Sequence, residues 1–213
     1  MSWSLSRLKT FEQCAAKYDY RYNQKLTEEK SDAAERGIGR HSQIEGYLKG
    51  TNAELIPELL FYKGFLDHIR TKQFFAEHKV ALKRDWSPAE WDSDEMWVRG
   101  ILDLLVIDSP TEAVVYDWKT GKEYPDHEEQ AELYSGFVLA ALPAISNVRA
   151  IHVYLDSGRN REKSFHRGDI SEIRSRWGAR AQLMEECVDY IPNPSFMCRY
   201  CSFSRWKGGP CRF

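Results

Sequence analysis

The apolar residues along this chain change period twice, and those changes outline a fold. From Ser4 to Tyr22, Leu5, Leu8, Phe11, Ala15 and Tyr18 recur at helical spacing, which predicts a first helix carrying Cys14. A second helix is predicted through RHSQIEGYLKG (Arg40 to Gly50) and a third from about Leu59 to Ile69. The middle of the chain reads differently. KVALKRDW, MWVRGILDLLVID and AVVYDWKT are short, rich in β-branched and aromatic residues, and bounded by turn formers such as Ser109-Pro110, so each predicts a strand. A helix is expected from about Asp126 to Leu142, then strands at VRAIHVYLD and EKSFHR separated by a basic turn. A last helix from about Asp169 to Tyr190 is closed by Pro192 and Pro194. Helices flanking a central mixed sheet make an α/β or α+β domain.

Composition bounds this picture. The 213 residues, 42% hydrophobic and 13% aromatic, suffice for one sizeable core, and no repeat or linker interrupts them, so 1–213 reads as a single domain. No apolar run approaches the ~18 residues that cross a bilayer. The start, MSWSLSRLKTFEQC, lacks the pattern of a signal peptide, so a cytoplasmic protein is expected. A net charge of −2 does not by itself point to nucleic acid. Local clusters are the better test: Arg159, Arg161, Lys163 and Arg167; Arg174, Arg176 and Arg180; then Arg199, Arg205, Lys207 and Arg212. Each serves equally as a phosphate track or as ordinary solvated surface.

The chemistry concentrates in two predicted strands. In VRGILDLLVID both faces are apolar, so Asp103 sits where burial is costly unless something compensates it. In AVVYDWKTG, Val115, Asp117 and Lys119 point one way, and residues two apart on a strand lie roughly 6.5 Å apart, so carboxylate and ammonium can address one small group. Two carboxylates brought together raise each other's pKa; a divalent cation between them reverses that, and oxygen ligands suit Mg²⁺ and Mn²⁺. Taken singly, the motifs also read as a strand-end ion pair and a turn cap.

Their order, however, resembles a family. Gly100-x-x-Asp103, then Asp117-Trp118-Lys119, then Gln130-x-x-x-Tyr134, with Arg36-Gly37-x-x-x-His41 upstream, is similar to the PD-(D/E)XK nuclease superfamily. Within it the motifs resemble the RecB-type branch that includes the CRISPR-associated Cas-four exonucleases and the AddB nuclease domain. The resemblance implies a restriction-endonuclease-like fold and a metal-dependent exonuclease acting on single-stranded DNA or DNA ends in recombination, repair or DNA processing. It implies that Asp103 and Asp117 hold Mg²⁺ or Mn²⁺, that His41 completes the coordination, and that the Trp118 carbonyl supplies a further oxygen. Lys119 would position the attacking water and stabilise charge on the phosphate, while Gln130 and Tyr134 steady the lysine and the DNA backbone. Glu77, in FFAEHKV, and Glu45, one turn after His41, are candidates for additional ligands or for groups that support the ligands, without a motif of their own. The alternative from another class is a DNA-binding or adaptor module of the same fold without catalysis. A homo-oligomer and recombination or repair partners stay open, and no membrane partner is expected.

Of five cysteines, four fall at the chain's ends: Cys14, then Cys198-x-x-Cys201 and Cys211. A C-x-x-C pair turns two thiolates toward one ion, a geometry shared by zinc and iron–sulfur sites. Gly208-Gly209-Pro210 offers a bend by which Cys211 returns, and Phe196, Tyr200, Phe203 and Trp206 are candidates to shield the centre. One early and three late cysteines resemble the iron–sulfur staple of the Cas-four and AddB proteins, which implies a structural [4Fe–4S] cluster joining residues 1–22 and 192–213. Ala15, where those families commonly have proline, and the long gap from Cys201 to Cys211 depart from their pattern and keep Zn²⁺ as the alternative. Cys187 is expected as a buried core residue on the last helix.

Overall fold

The structure, a computed structural model, describes residues 2–28, 31–124 and 127–213. It divides into two compact units: residues 3–31 with 176–213, and residues 32–175.

The larger unit is built on a five-stranded mixed sheet in the order β1 (Gln73–Leu82), β2 (Val98–Ser109), β3 (Glu112–Lys119), β4 (Asn147–Tyr154) and β5 (Arg159–His166). Neighbours are antiparallel except β3 and β4, which run parallel and are joined through a helix at His127–Ala141. The expected start of that helix at Asp126 lies outside the described residues. A helix at Asp32–Lys49 and a short one at Lys63–Ile69 close one core. There Ile44, Tyr47, Leu48, Leu59 and Leu66 pack with Leu104, Val106, Val114, Trp118 and Val153. This is an α+β arrangement with a mixed central sheet and flanking helices.

In chain order the helices are α1 (Leu5–Gln13), α2 (Ala15–Tyr18), α3 (Asp32–Lys49), α4 (Lys63–Ile69), α5 (His127–Ala141) and α6 (Ile170–Glu185). Gly136 on α5 lets that helix approach closely: a Cβ there would stand 2.9 Å from both Trp86 and Ile173. Gly100 on β2 has the same reason, because a Cβ would meet Phe137 at 2.8 Å and Tyr134 at 3.1 Å. The glycine of the Gly100-x-x-Asp103 motif is thus explained by packing beneath α5.

Several boundaries differ from expectation. The first helix is not continuous. Ser4 caps α1, but Cys14 is extended (φ −165°), so it stands between α1 and α2 rather than within a helix, and a π-helical turn follows at Asp19–Asn23. The last helix stops at Glu185, five residues short. Glu185 and Glu186 oppose the negative end of the helix dipole, and β-branched Val188 follows. Cys187 therefore lies beyond the helix, only half-buried, with Sγ 3.5 Å from the Asp189 carbonyl; it is not a core residue. β1 begins six residues earlier than KVALKRDW suggests and so takes in Glu77.

Candidate metal site and cysteine pocket

The site grows out of a place where the sheet comes apart. The β2–β3 ladder runs from Ser109↔Glu112 to Leu104↔Tyr116 and ends there. One residue further, the Asp103 carboxylate takes over the role of the ladder: its Oδ2 accepts the Trp118 backbone N–H at 2.8 Å. Across β1, the partner position is Glu77, a non-glycine residue held at φ +52°. That conformation is costly for a residue with a Cβ, and such strain concentrates at functional sites.

Asp117-Trp118-Lys119 divides its side chains between two environments. Trp118 is buried in the core, where Tyr116 stacks beside it with ring centroids 6.2 Å apart. Asp117 and Lys119 turn the other way. Lys119 Nζ lies 2.7 Å from Asp117 Oδ2 and donates to Gln130 Oε1 at 2.6 Å, and Gln130 Nε2 donates to Asp117 Oδ1 at 2.6 Å. The glutamine amide thus bridges the carboxylate and the ammonium. Tyr134, one turn along α5, stacks on Phe137, and burial, then Asp117 and Asp103, push its hydroxyl well above its ordinary range.

Asp117 carries the site's electrostatic tension. It is buried, and its Oδ2 lacks a well-directed hydrogen bond despite the nearby ammonium. Burial first, then the charge of Asp103, raises its carboxyl to about 7, against the opposing pull of Lys119 and His41. Such a group ionises readily only when a further positive charge is supplied. Behind it His152, 3.9 Å away, is lowered to about 4 by burial and by Lys119, so it stays neutral.

His41 projects from α3 with Nε2 donating to the Trp118 carbonyl at 2.9 Å and Nδ1 3.4 Å from Asp103 Oδ2. Burial works against its charge, but the Asp103 bond and the charges of Asp103 and Asp117 prevail and leave its pKa raised. Among the described residues, one group of three or more potential ligands has its donor atoms all within 4.8 Å of one another: His41, Glu77 and Asp103. Asp117 lies outside that group of three. Burial, then Asp103 and Glu45, raises the Glu77 carboxyl as well. A cavity of about 540 Å³ opens over these residues, lined also by Ala33, Gly37, Ile38, Ile101, Lys119 and Thr120. The donor set of imidazole and carboxylate oxygens suits a hard divalent ion. Glu77 had no motif to announce it; a lone glutamate inside the strand-like FFAEHKV was the available signal.

In the smaller unit, Cys14, Cys198, Cys201 and Cys211 line one tight cavity of about 80 Å³. Cys198 lies within a 3-10 turn at Phe196–Tyr200 that Cys201 closes, and Gly208 (φ +73°) and Gly209 return the chain so that Cys211 N–H reaches the Phe203 carbonyl at 2.9 Å. A Cβ at Gly209 would lie 2.3 Å from the Phe203 backbone, so only glycine fits. Backbone N–H groups of Asn193 and Ser195 approach Cys14 Sγ and Cys198 Sγ at 3.4 Å each. Of the expected aromatic shield only Phe203 is buried, with Tyr20 against it at 5.6 Å; Phe196, Tyr200 and Trp206 are exposed.

Residues of the first two basic clusters have partners. Arg161 is bonded to Glu123 at 2.5 Å, Lys163 lies near Glu128, and Arg167 donates to the Leu142 and Ile145 carbonyls. Arg174 donates to the Asp85 carbonyl, and Arg180 grips Glu12 through two 2.7 Å bonds.

Comparison with known proteins places these features. A crystal structure of SSO0001 superposes with a TM-score of 0.51 at 16% identity, covering 99% of this chain and 86% of that one. A protein from Eubacterium rectale provisionally named an exonuclease superposes with a TM-score of 0.56 at 12% identity, covering 93% and 87%. These likenesses show a shared fold. No curated protein matches the chain at a significant level. No helix among the described residues is long and apolar enough to cross a membrane. The sequence profile of the PD-(D/E)XK nuclease superfamily matches residues 2–206, so this chain belongs to the PD-(D/E)XK nuclease superfamily.

Proposed function

We propose that the protein is a divalent-metal-dependent deoxyribonuclease of the RecB-type branch, an exonuclease acting on single-stranded DNA or DNA ends in recombination, repair or DNA processing. The whole chain serves as one nuclease domain in a cytoplasmic setting. One observation carries the reading: the Lys119–Gln130–Asp117 bridge stands beside His41, Asp103 and Glu77 on a groove open to substrate. His41, Asp103, Asp117 and the Trp118 carbonyl would hold Mg²⁺ or Mn²⁺, with Glu77 added to them. The buried, poorly bonded Oδ2 of Asp117 fits such an ion. When bound, the ion supplies water activation and neutralises charge on the phosphate.

The protein's own groups do the rest. Gln130 fixes the lysine's ammonium in the groove, where it orients the attacking water and meets charge developing on the phosphate. Asp103, by holding the Trp118 N–H, keeps that residue's carbonyl turned toward His41. Presence of all acidic ligands and of the lysine favours an enzyme over an adaptor that merely binds DNA.

The four-cysteine pocket is proposed as a structural [4Fe–4S] site. Hydrogen bonds from backbone N–H to sulfur suit a cluster's thiolates.

The test is digestion of end-labelled single- and double-stranded DNA, linear and circular, with Mn²⁺ or Mg²⁺ and with chelator. Release of short products from linear strands, metal-dependent and absent in Lys119→Ala, is expected. Metal-dependent binding without any cleavage would instead make the protein an adaptor.

A further inference from the structure

Two exposed isoleucines share the metal groove, and nothing in the reaction outlined above uses them. Ile38 is 54% exposed and Ile101 is 38% exposed, and both line the cavity that contains His41, Glu77 and Asp103. Their placement follows the ligands. Ile38 precedes His41 by three residues on α3, and Ile101 precedes Asp103 by two on β2. Three helical residues rise about 4.5 Å and two strand residues about 6.5 Å, so each element presents one ligand and, one step away, one uncovered aliphatic side chain.

The local packing maintains this arrangement. Gly37 brings α3 close to the end of β3, where a Cβ would lie 3.2 Å from Thr120 Oγ1. With that contact made at Gly37, the neighbouring Ala33 and Ile38 are left lining the groove instead of entering the core. Across the sheet Ile101 pairs with Lys79, which is itself drawn over Trp91 and leaves the isoleucine partly exposed to the groove.

We propose that Ile38 and Ile101 form an apolar shelf that packs against the nucleobase adjoining the phosphate at the metal site. The inference rests on the nuclease reading and deepens it. Continuity with the ligand group fixes the occupant: a strand whose phosphate meets His41, Glu77 and Asp103 has its sugar and base within one step of the shelf. The shelf also selects for strandedness. In a duplex each base face is covered by stacked neighbours and only edges are offered, whereas an unpaired or terminal base can lay a face on aliphatic side chains. An apolar surface of this kind takes any base, so it discriminates unpaired from paired nucleotides without reading sequence.

An abasic scan tests this. A uniform single-stranded oligonucleotide is made with one abasic position moved along it, and cleavage is followed for wild type and for Ile38→Ser/Ile101→Ser. In the wild type, the missing base is expected to raise KM about tenfold at one position beside the scissile bond and little elsewhere. In the double variant, KM for the intact strand should rise toward the abasic value and the penalty should vanish. Equal wild-type cleavage at every abasic position, or a penalty that survives in the double variant, would overturn the shelf. Binding of the same series to Lys119→Ala, read by fluorescence anisotropy, separates the two claims. Discrimination there without any wild-type cleavage defeats the nuclease reading alone, while cleavage without discrimination defeats the shelf alone. Should the double variant fail to fold, the wild-type and Lys119→Ala scans still decide.

Discussion

The metal groove and the cysteine pocket gather ligands for opposite ends. Over the groove lies about 540 Å³ of open space, beside carboxylates whose pKa values are pushed up by burial and by the neighbouring charge of Asp103. The pocket encloses about 80 Å³, its thiols approached by backbone N–H groups and its turn fixed by two glycines. A site that must admit substrate keeps an open position and unsatisfied charge; a site that must hold a fold together closes around its ligands. On the proposed reading, electrostatic tension at Asp117 and geometric closure at Gly209 are the signatures of those two tasks.

The sharpest way to break the comparison is to delete chemistry from the groove. Lys119→Ala and Asp117→Ala should each lower cleavage by about 10³-fold or more while circular dichroism and the thermal midpoint show a folded protein. Full activity in either purified variant would remove the groove from the reaction.

In the pocket the balance should reverse. Cys198→Ser should abolish the visible absorption expected of an iron–sulfur protein and cost several kcal/mol of stability, lowering the midpoint by roughly 10 °C. Cleavage per folded molecule should survive. A colourless wild type with one stoichiometric zinc ion would replace the cluster with the simpler metal, and a variant as stable as wild type would leave the pocket without a structural task.

A smaller effect tests the residue that no motif announced. Glu77→Gln keeps the side chain's size and removes its charge from the group with His41 and Asp103. Manganese affinity measured by calorimetry should fall about 10–100-fold, with cleavage restored in part by excess metal. Unchanged affinity would return Glu77 to a strained strand residue with no ligand role.

What the sequence disclosed and what it hid divide along physical lines. Short runs rich in β-branched and aromatic residues between turn formers disclosed the strands, and the strand period put Asp117 and Lys119 on one face, whereas the parts proposed for Asp103 and Gln130 came from the resemblance of their motifs to a family. Glu77 stood only as a candidate further ligand, because its left-handed backbone and the end of the β2–β3 ladder beside it are tertiary events. The basic segments left a phosphate track and a solvated surface equally open because sequence shows charges and not their partners; Glu123 and Glu12 lie far along the chain from Arg161 and Arg180. Cys187 was misplaced because the end of α6 depends on two glutamates at its negative pole, which apolar periodicity does not register.

The smallest effect is thermodynamic and concerns Asp117 without metal. Its carboxyl is raised to about 7 in the folded protein from 3.8, so the folded state binds more protons than the unfolded chain between those values. Stability from this group is therefore fully present below about pH 4 and is lost as pH rises toward about 7. His152, lowered to about 4 from 6.5, acts in the opposite sense and adds stability as pH rises from about 4 to 6.5. The two slopes oppose each other over that interval, while Glu77 and His41, both raised, add to the fall, so a variant at position 117 is what isolates this carboxyl. Asp117→Asn removes the falling component and keeps the Gln130 bond, because an amide oxygen still accepts. Its thermal midpoint, measured in chelator from pH 4 to 7, should climb relative to wild type. Saturating Mg²⁺ should narrow the gap at neutral pH by stabilising the ionised carboxylate of the wild type alone. Parallel midpoint curves for the two proteins would mean that Asp117 ionises in the fold as easily as in the open chain, and the electrostatic contrast between groove and pocket would lose its foundation.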